Sequence, residues 1–273
     1  MRPRTLSGRW ITSPAVTSID ARAHANFTGW VRFLCRLEGG ELFEQPGVVC
    51  FRGPTDFPSS RISLRTDPAA SADAYVSALD ENLFAHGKTA CTWVRIDADA
   101  DLSEALLARG FREFGTTPEM VCEGALEPRD PPAGATVRLA KTADDVRDYA
   151  RIAGEAFAHL MIPAEVTAKS IDNPDVMLGP DVAIALADVN GEPVAGACVV
   201  MVGDQPEGYV GWVACLDKAR GNGLGDTVTR RVTNEGFARG ANIVTLEASQ
   251  FGEHTYARMG YRELYRYRLL IKL

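Results

Sequence analysis

Histidine is scarce in this 273-residue chain (4 residues), and its 6 cysteines (Cys35, Cys50, Cys91, Cys122, Cys198, Cys215) form no Cys-x-x-Cys pair. No His/Cys cluster has metal-ligand spacing, so neither a zinc site nor a disulfide framework is expected. The thiols sit mostly in apolar, strand-like runs and read as buried and free, as a reducing cytoplasm allows. Long basic runs are absent and the net charge is −7. An acidic surface repels phosphate backbones, so nucleic acid is not expected as a partner, whereas a cationic or amine-bearing one is tolerated. No apolar stretch is long enough to span a bilayer, so no membrane partner is expected. Met1-Arg2-Pro3-Arg4-Thr5 is basic, but no apolar stretch follows before Asp20, which argues against a secretory signal.

What remains is an ordinary globular composition, 46% hydrophobic and 24% charged. It is interrupted at Glu127-Pro128-Arg129-Asp130-Pro131-Pro132-Ala133-Gly134. Adjacent prolines continue neither a helix nor a central strand, so this stretch reads as a linker between halves of similar size. The second half alternates strand and helix. Strands are expected at 136–139, 182–189, 194–202, 209–215, 243–248 and 262–272. Helices are expected at 143–157 behind a Thr142 N-cap, at 163–171, 224–238 and 253–259. Asn190-Gly191 between two apolar runs signals a hairpin. The first half shows similar order with less regularity: an amphipathic stretch at 20–37, strands at 48–51, 61–65 and 91–96, and helices at 72–85 and 101–108. An extended run follows at 111–125.

The two halves share short matches in register. Phe84-Ala85-His86-Gly87 answers Phe237-Ala238-Arg239-Gly240, each read as a helix end with glycine at C′. Arg109-Gly110-Phe111-Arg112-Glu113 answers Met259-Gly260-Tyr261-Arg262-Glu263 one strand and one helix later. The order of elements between the matches agrees, so the chain reads as two copies of one fold.

The segment richest in chemistry is Val213-Ala214-Cys215-Leu216-Asp217-Lys218-Ala219-Arg220-Gly221-Asn222-Gly223-Leu224-Gly225-Asp226. Here a strand runs into a turn with alternating glycines, and a helix begins at its end. Glycines let a backbone approach a ligand without obstruction by Cβ. The free N–H groups of the helix start, aided by the helix dipole, then face an anion such as a pyrophosphate. A dinucleotide loop would sit at the first βα turn with an acidic residue after the next strand; this loop comes late, and only Ala248 and Ser249 follow Glu247.

Arg220-Gly221-Asn222-Gly223-Leu224-Gly225 resembles the Gln/Arg-x-x-Gly-x-Gly/Ala signature of the GNAT (GCN-related N-acetyltransferase) superfamily. Leu246-Glu247-Ala248-Ser249, followed by Tyr256-Ala257-Arg258-Met259-Gly260-Tyr261, resembles the second motif of that family, and the likeness covers 136–273. It implies an α/β fold of two tandem GNAT-like domains, each a mixed sheet flanked by helices. Residues 1–127 would be a degenerate copy and 135–273 the domain that binds acetyl-CoA as co-substrate, without a metal. The implied activity is transfer of an acetyl group to an amine of a small molecule or peptide. A silent acetyl-CoA sensor and an aminoacyl-tRNA-dependent transferase are the alternatives.

By the same resemblance, the strands at 209–215 and 243–249 splay to admit the thioester arm. Val213, Ala214 and Cys215 would bond that arm through their backbone, and Ser249 would donate to it. Arg220, Gly221, Asn222, Gly223, Leu224, Gly225 and Asp226 would form the pyrophosphate loop, and Tyr256 would protonate the leaving thiolate. For a base, Tyr209 stands near where relatives carry a glutamate. Glu207, two residues earlier and on the same side of the strand, is the alternative, beside a reading of it as a solvated loop residue. Cys215 has no histidine partner and reads as packing. His159 and His254 either line the acceptor cleft or lie on helix surfaces; His24 and His86 have no chemistry around them, and Trp212 reads as core. In the first half, Thr66-Asp67-Pro68-Ala69-Ala70-Ser71 has no glycine, and Leu106 stands opposite Tyr256, so that copy has neither cradle nor acid.

Overall fold

The Ser18 hydroxyl accepts the Ala21 N–H and starts α1 (Ile19–Glu38), which Gly39 closes in the left-handed conformation. The computed structural model describes residues 18–160, 162–203 and 206–273, so the basic start at residues 1–5 lies outside them. The hairpin β1 (Glu41–Gln45) and β2 (Val48–Arg52) comes next, followed by β3 (Arg61–Arg65), α2 (Ala72–Asn82), β4 (Ala90–Arg95), α3 (Ala100–Ala108) and β5 (Arg112–Cys122). After residues 123–134, which form no helix or strand, come β6 (Ala135–Leu139), α4 (Ala143–Phe157), α5 (Ala164–Ile171) and α6 (Pro174–Met177). The chain then continues through β7 (Val182–Val189), β8 (Glu192–Val202), β9 (Glu207–Cys215), α7 (Leu224–Ala238), β10 (Val244–Glu247), α8 (Glu253–Met259) and β11 (Arg262–Lys272). Asn190 and Gly191 both take positive φ, 53° and 83°, as the β7–β8 hairpin requires.

The repeat is visible in this order: α2, β4, α3 and β5 are matched by α7, β10, α8 and β11. Gly110 and Gly260 both adopt positive φ after their helices. One expectation fails. Gly87 is extended (φ 175°) and follows a 3-10 turn, so it is no αL cap, whereas Gly240 (φ 95°) is. Gly87 answers a different need, because a Cβ there would lie 2.6 Å from Asp56 Oδ1 and 2.7 Å from Arg61 Cζ.

The halves do not close as separate sheets. All eleven strands among the described residues join one sheet in the order β1-β2-β3-β4-β11-β5-β10-β9-β8-β7-β6. The last strand of each half is inserted into the other: β11 pairs with β4, and β5 pairs with β10. Between them β5 and β11 form a long antiparallel seam. The pairs β3–β4 and β9–β10 are parallel, as two related copies require. Helix α1 crosses the middle of one face, stacking Phe27 and Trp30 on Tyr209 and touching α5 and α6. The opposite face is covered by α7 and α8 over the C-terminal strands, and a second apolar core lies beneath α2 and α3.

Candidate active site

Strands β9 and β10 pair over only two positions, Gly208 with Val244 and Tyr209 with Thr245. Beyond these they separate, leaving the far half of β9 without a neighbour on that side. Strand β9 is also irregular within the sheet. Its register against β8 slips between Gly196 and Cys198, and Trp212 adopts φ 42°, costly for a non-glycine residue. The bulge is held from one face: Tyr149 Oη of α4 donates toward the carbonyls of Gly211 (3.3 Å) and Trp212 (3.0 Å). Past the bulge Ala214 and Cys215 pair again with Gly196 and Ala195 of β8, so only the other edge of Val213–Cys215 faces the gap. Tyr209 spans the start of the gap, its hydroxyl accepting the Glu247 N–H at 3.2 Å, where a paired strand would offer a carbonyl. The sequence carried no signal for the bulge, since tryptophan is an unfavourable residue at positive φ.

At the mouth of this gap lies the N-terminus of α7. Gly221 and Gly223 both take φ 80°, and no side chain caps the helix. The first-turn N–H groups of Leu224, Gly225 and Asp226 have no intrahelical acceptor. A Cβ built at Gly221 or Gly225 would meet nothing within 4 Å, so open space lies over the loop. The geometry is that of an anion cradle. Arg129 of the linker overhangs it, 3.4 Å from the ideal Gly223 Cβ position and 3.4 Å from Asp226 Oδ1. The linker is itself fixed to α7: Leu126 exchanges two hydrogen bonds with Asn234, and Arg230 donates to the Glu127 carbonyl. Sequence reasoning missed Arg129 because its nearness to the loop depends on that docking.

The loop's side chains bond back onto the protein. Arg220 donates to the carbonyls of Cys215 and Ala156 and pairs with Asp217, bracing the strand end against α4. Asn222 bonds the carbonyls of Ala219 and Arg220, Asp226 pairs with Arg230 at 2.8 Å, and Leu224 is buried. Backbone N–H groups, not these side chains, are therefore what faces the opening. The corresponding helix start in the N-terminal half is closed. There Ser71 caps α2, Asp67 accepts the Ala69 N–H, and Arg65 bonds the Ala70 carbonyl.

Tyr256 lies on α8, 9% exposed, with burial raising its hydroxyl above the ordinary tyrosine value. Its counterpart Leu106 is fully buried. The Ser249 carbonyl accepts the N–H groups of Gly252 and Glu253 and opens the turn into α8. Burial also raises the Cys215 thiol, which favours the unreactive form. His159 and Phe251 meet edge to face at 5.6 Å, bringing the loops after α4 and after β10 together. His24 is buried between Tyr267 Oη and the Arg65 carbonyl, each at 2.7 Å.

Glu207 does not join this group. Arg22 of α1 holds its Oε1 through Nη2 at 2.6 Å and Nε at 2.9 Å. It also sits at the start of β9, six residues before Val213, roughly 20 Å along an extended strand. The expected carboxylate base is instead committed to an ion pair at the other end of the strand.

Residues 149–261 match the family model described as the acetyltransferase (GNAT) family. Comparison with curated proteins gives no match. Among solved structures, the chain is similar to a GCN5-related N-acetyltransferase from Kribbella flavida (TM-score 0.70, 23% identity, 94% of this chain and 96% of that one). It is similar to another from Sphaerobacter thermophilus (0.58, 17%, 92% of each). A third is a tandem GNAT protein from the clavulanic acid biosynthesis pathway (0.55, 12%, 92% of this chain and 95% of that one). Residues 149–261 thus match the GNAT family model, and the chain has a GNAT-like α/β fold over nearly its whole length.

Proposed function

We propose that the chain is an N-acyltransferase that moves an acetyl group from acetyl-CoA to an amine of a small molecule or peptide. The observation that carries this reading is the uncapped start of α7 beneath the open Gly221 and Gly225, next to the gap between β9 and β10. The N–H groups of Leu224, Gly225 and Asp226 fit the pyrophosphate, with Arg129 adding positive charge. The edge of Val213, Ala214 and Cys215 that faces the gap fits the amides of the pantetheine arm, and one N–H there would draw charge onto the thioester oxygen during attack. Ser249 lies at the strand end on the other side of the gap. Tyr256, neutral over the working pH range, serves as the acid for the departing thiolate.

On this reading residues 135–273 form the acetyl-CoA domain, and residues 1–127 form a copy that does not bind it. Six free thiols, five of them buried, support a cytoplasmic location. The test is release of free thiol from acetyl-CoA against a panel of primary amines. Turnover with at least one amine supports the reading; acetyl-CoA bound without thiol release from any amine would leave a sensor instead.

A further inference from the structure

Two carboxylates in the middle of the sheet have no part in what has been described. Glu247 of β10 and Glu119 of β5 stand directly opposite each other in the antiparallel ladder. Their side chains therefore leave the same face, the one that α1 crosses. Glu119 is fully buried and neither of its oxygens has a hydrogen-bond partner; the Thr245 hydroxyl lies near it but outside hydrogen-bond geometry. Like charges facing each other in a ladder are unfavourable, and a buried carboxylate without a counter-ion more so. The charge of Arg95 reaches Glu119, but its guanidinium is turned over the Tyr265 ring (3.9 Å) and bonded to Asp97.

Hydrogen bonding separates the two. Oε1 of Glu247 accepts from Trp93 Nε1 at 2.5 Å and from Thr117 Oγ1 at 2.5 Å. Burial raises both carboxyls, but the two donors on one oxygen pull that of Glu247 back down, so Glu247 is the member of the pair that ionises more readily, while burial and the facing Glu247 hold Glu119 protonated. Among the described residues Oε2 of Glu247 has no donor. Glu247, Trp93 and Thr117 are each half-buried. Glu247 lies two residues beyond Thr245, where β10 leaves β9. A single aimed carboxylate oxygen, unneutralised and beside the gap, is the complement of a cation.

We infer that Glu247 binds and deprotonates the ammonium group of the acceptor, which makes the acceptor a primary amine that is cationic in solution. The inference rests on the acyl-transfer reading above. The ammonium donates to Oε2 and supplies the missing counter-ion. Its proton passes to Oε2, freeing the nitrogen lone pair to form the N–C bond to the acetyl carbon as the C–S bond breaks. Tyr256 gives its proton to the thiolate, and the second proton shed by nitrogen restores that tyrosine. The Glu247 proton leaves to solvent. Ammonium and thioester thus become amide, thiol and one released proton. Trp93 and Thr117 are positioning residues, and both belong to the N-terminal half.

The groups around Glu247 are Glu119 from β5, Tyr209 from β9, Tyr265 and Tyr267 from β11, Cys91 and Arg95 from β4, and, from α1, Asn26 bonded to Thr245 and His24 bonded to Tyr267. Burial raises the three tyrosines and the thiol, and pushes His24 down to about 4. None of these changes charge near neutral pH, so an acid limb of activity there belongs to the carboxylates.

The experiment uses the full chain, with putrescine, tyramine and a lysine peptide as probes. Carboxyl resonances of isotope-labelled glutamate are assigned with Glu247→Gln and Glu119→Gln, and followed as each amine is added in the presence of CoA. At least one amine is expected to shift the Glu247 resonance, while its alcohol analogue does not. Glu247→Gln is expected to bind acetyl-CoA as the wild type does, to lose about 10²–10⁴-fold in kcat/KM, and to lose the acid limb. Trp93→Phe removes a donor to the charged form, so its limb moves to higher pH. Turnover by Glu247→Gln at the wild-type rate with the limb intact overturns the inference and leaves acyl transfer standing. So does wild-type turnover with no amine shifting Glu247. A wild type that releases no thiol and shows no shift overturns both readings.

Discussion

At the scale of single residues, the site separates groups that act through their backbone from groups that act through a side chain. Arg220 and Asn222 lie in the loop signature and Asp226 follows it, yet their side chains brace the loop and leave its N–H groups facing outward. Tyr256 is different, since only its hydroxyl can serve the proposed chemistry. Tyr256→Phe keeps the packed ring and is expected to leave acetyl-CoA affinity nearly unchanged. kcat should fall by about 10²–10⁴-fold, toward the lower end because a thiolate leaves readily. The loss should fall on kcat and kcat/KM together, as when an interaction made only in the transition state is removed. A folded Tyr256→Phe with wild-type kcat, under conditions where chemistry limits the rate, would make this residue part of the packing.

At the scale of elements, the glycines of the loop are not equivalent. Gly221 and Gly223 need their left-handed backbone, so any replacement there strains the turn as well as filling it. Gly225 lies within α7, without positive φ and with open space above it. Gly225→Leu therefore fills the cradle at no conformational cost, and losing a helical glycine should add up to about 1 kcal/mol of stability. Its expected outcome is an unchanged or higher Tm with acetyl-CoA binding lost by titration; a stable variant that still binds would remove the anion from this helix end. Much of this scale was legible in the sequence. Thr142 caps α4 in a full capping box with Asp145, and β3, β7, α7, α8 and β11 fall where periodicity puts them. The short β1 was not legible, because a mostly exposed edge strand shows no apolar alternation. Nor was the bulge at Trp212, which Tyr149 imposes from another element. Glu207 was misjudged because strand periodicity gives the face of a residue but not its partner, and Arg22 comes from 185 positions away.

At the scale of the whole molecule, the exchange of β5 and β11 makes the two halves one folding unit. Cut in the linker, residues 135–273 would expose an edge of β10 and lose Trp93 and Thr117 from beside Glu247. Each half made alone is expected to aggregate or remain unfolded, since long unpaired edges are sticky, whereas the two made together should associate and bind acetyl-CoA. A soluble, folded C-terminal half would contradict that dependence. On the proposed reading, the exchange gives the N-terminal half, whose own helix start is closed, a use in walling and tuning the site of the other half. The central claim is that only one of two related helix starts, the one at α7, binds acetyl-CoA. The measurement that tests it most directly is calorimetric titration of the full chain with acetyl-CoA. The account predicts one site per chain; two sites, or none, would contradict it.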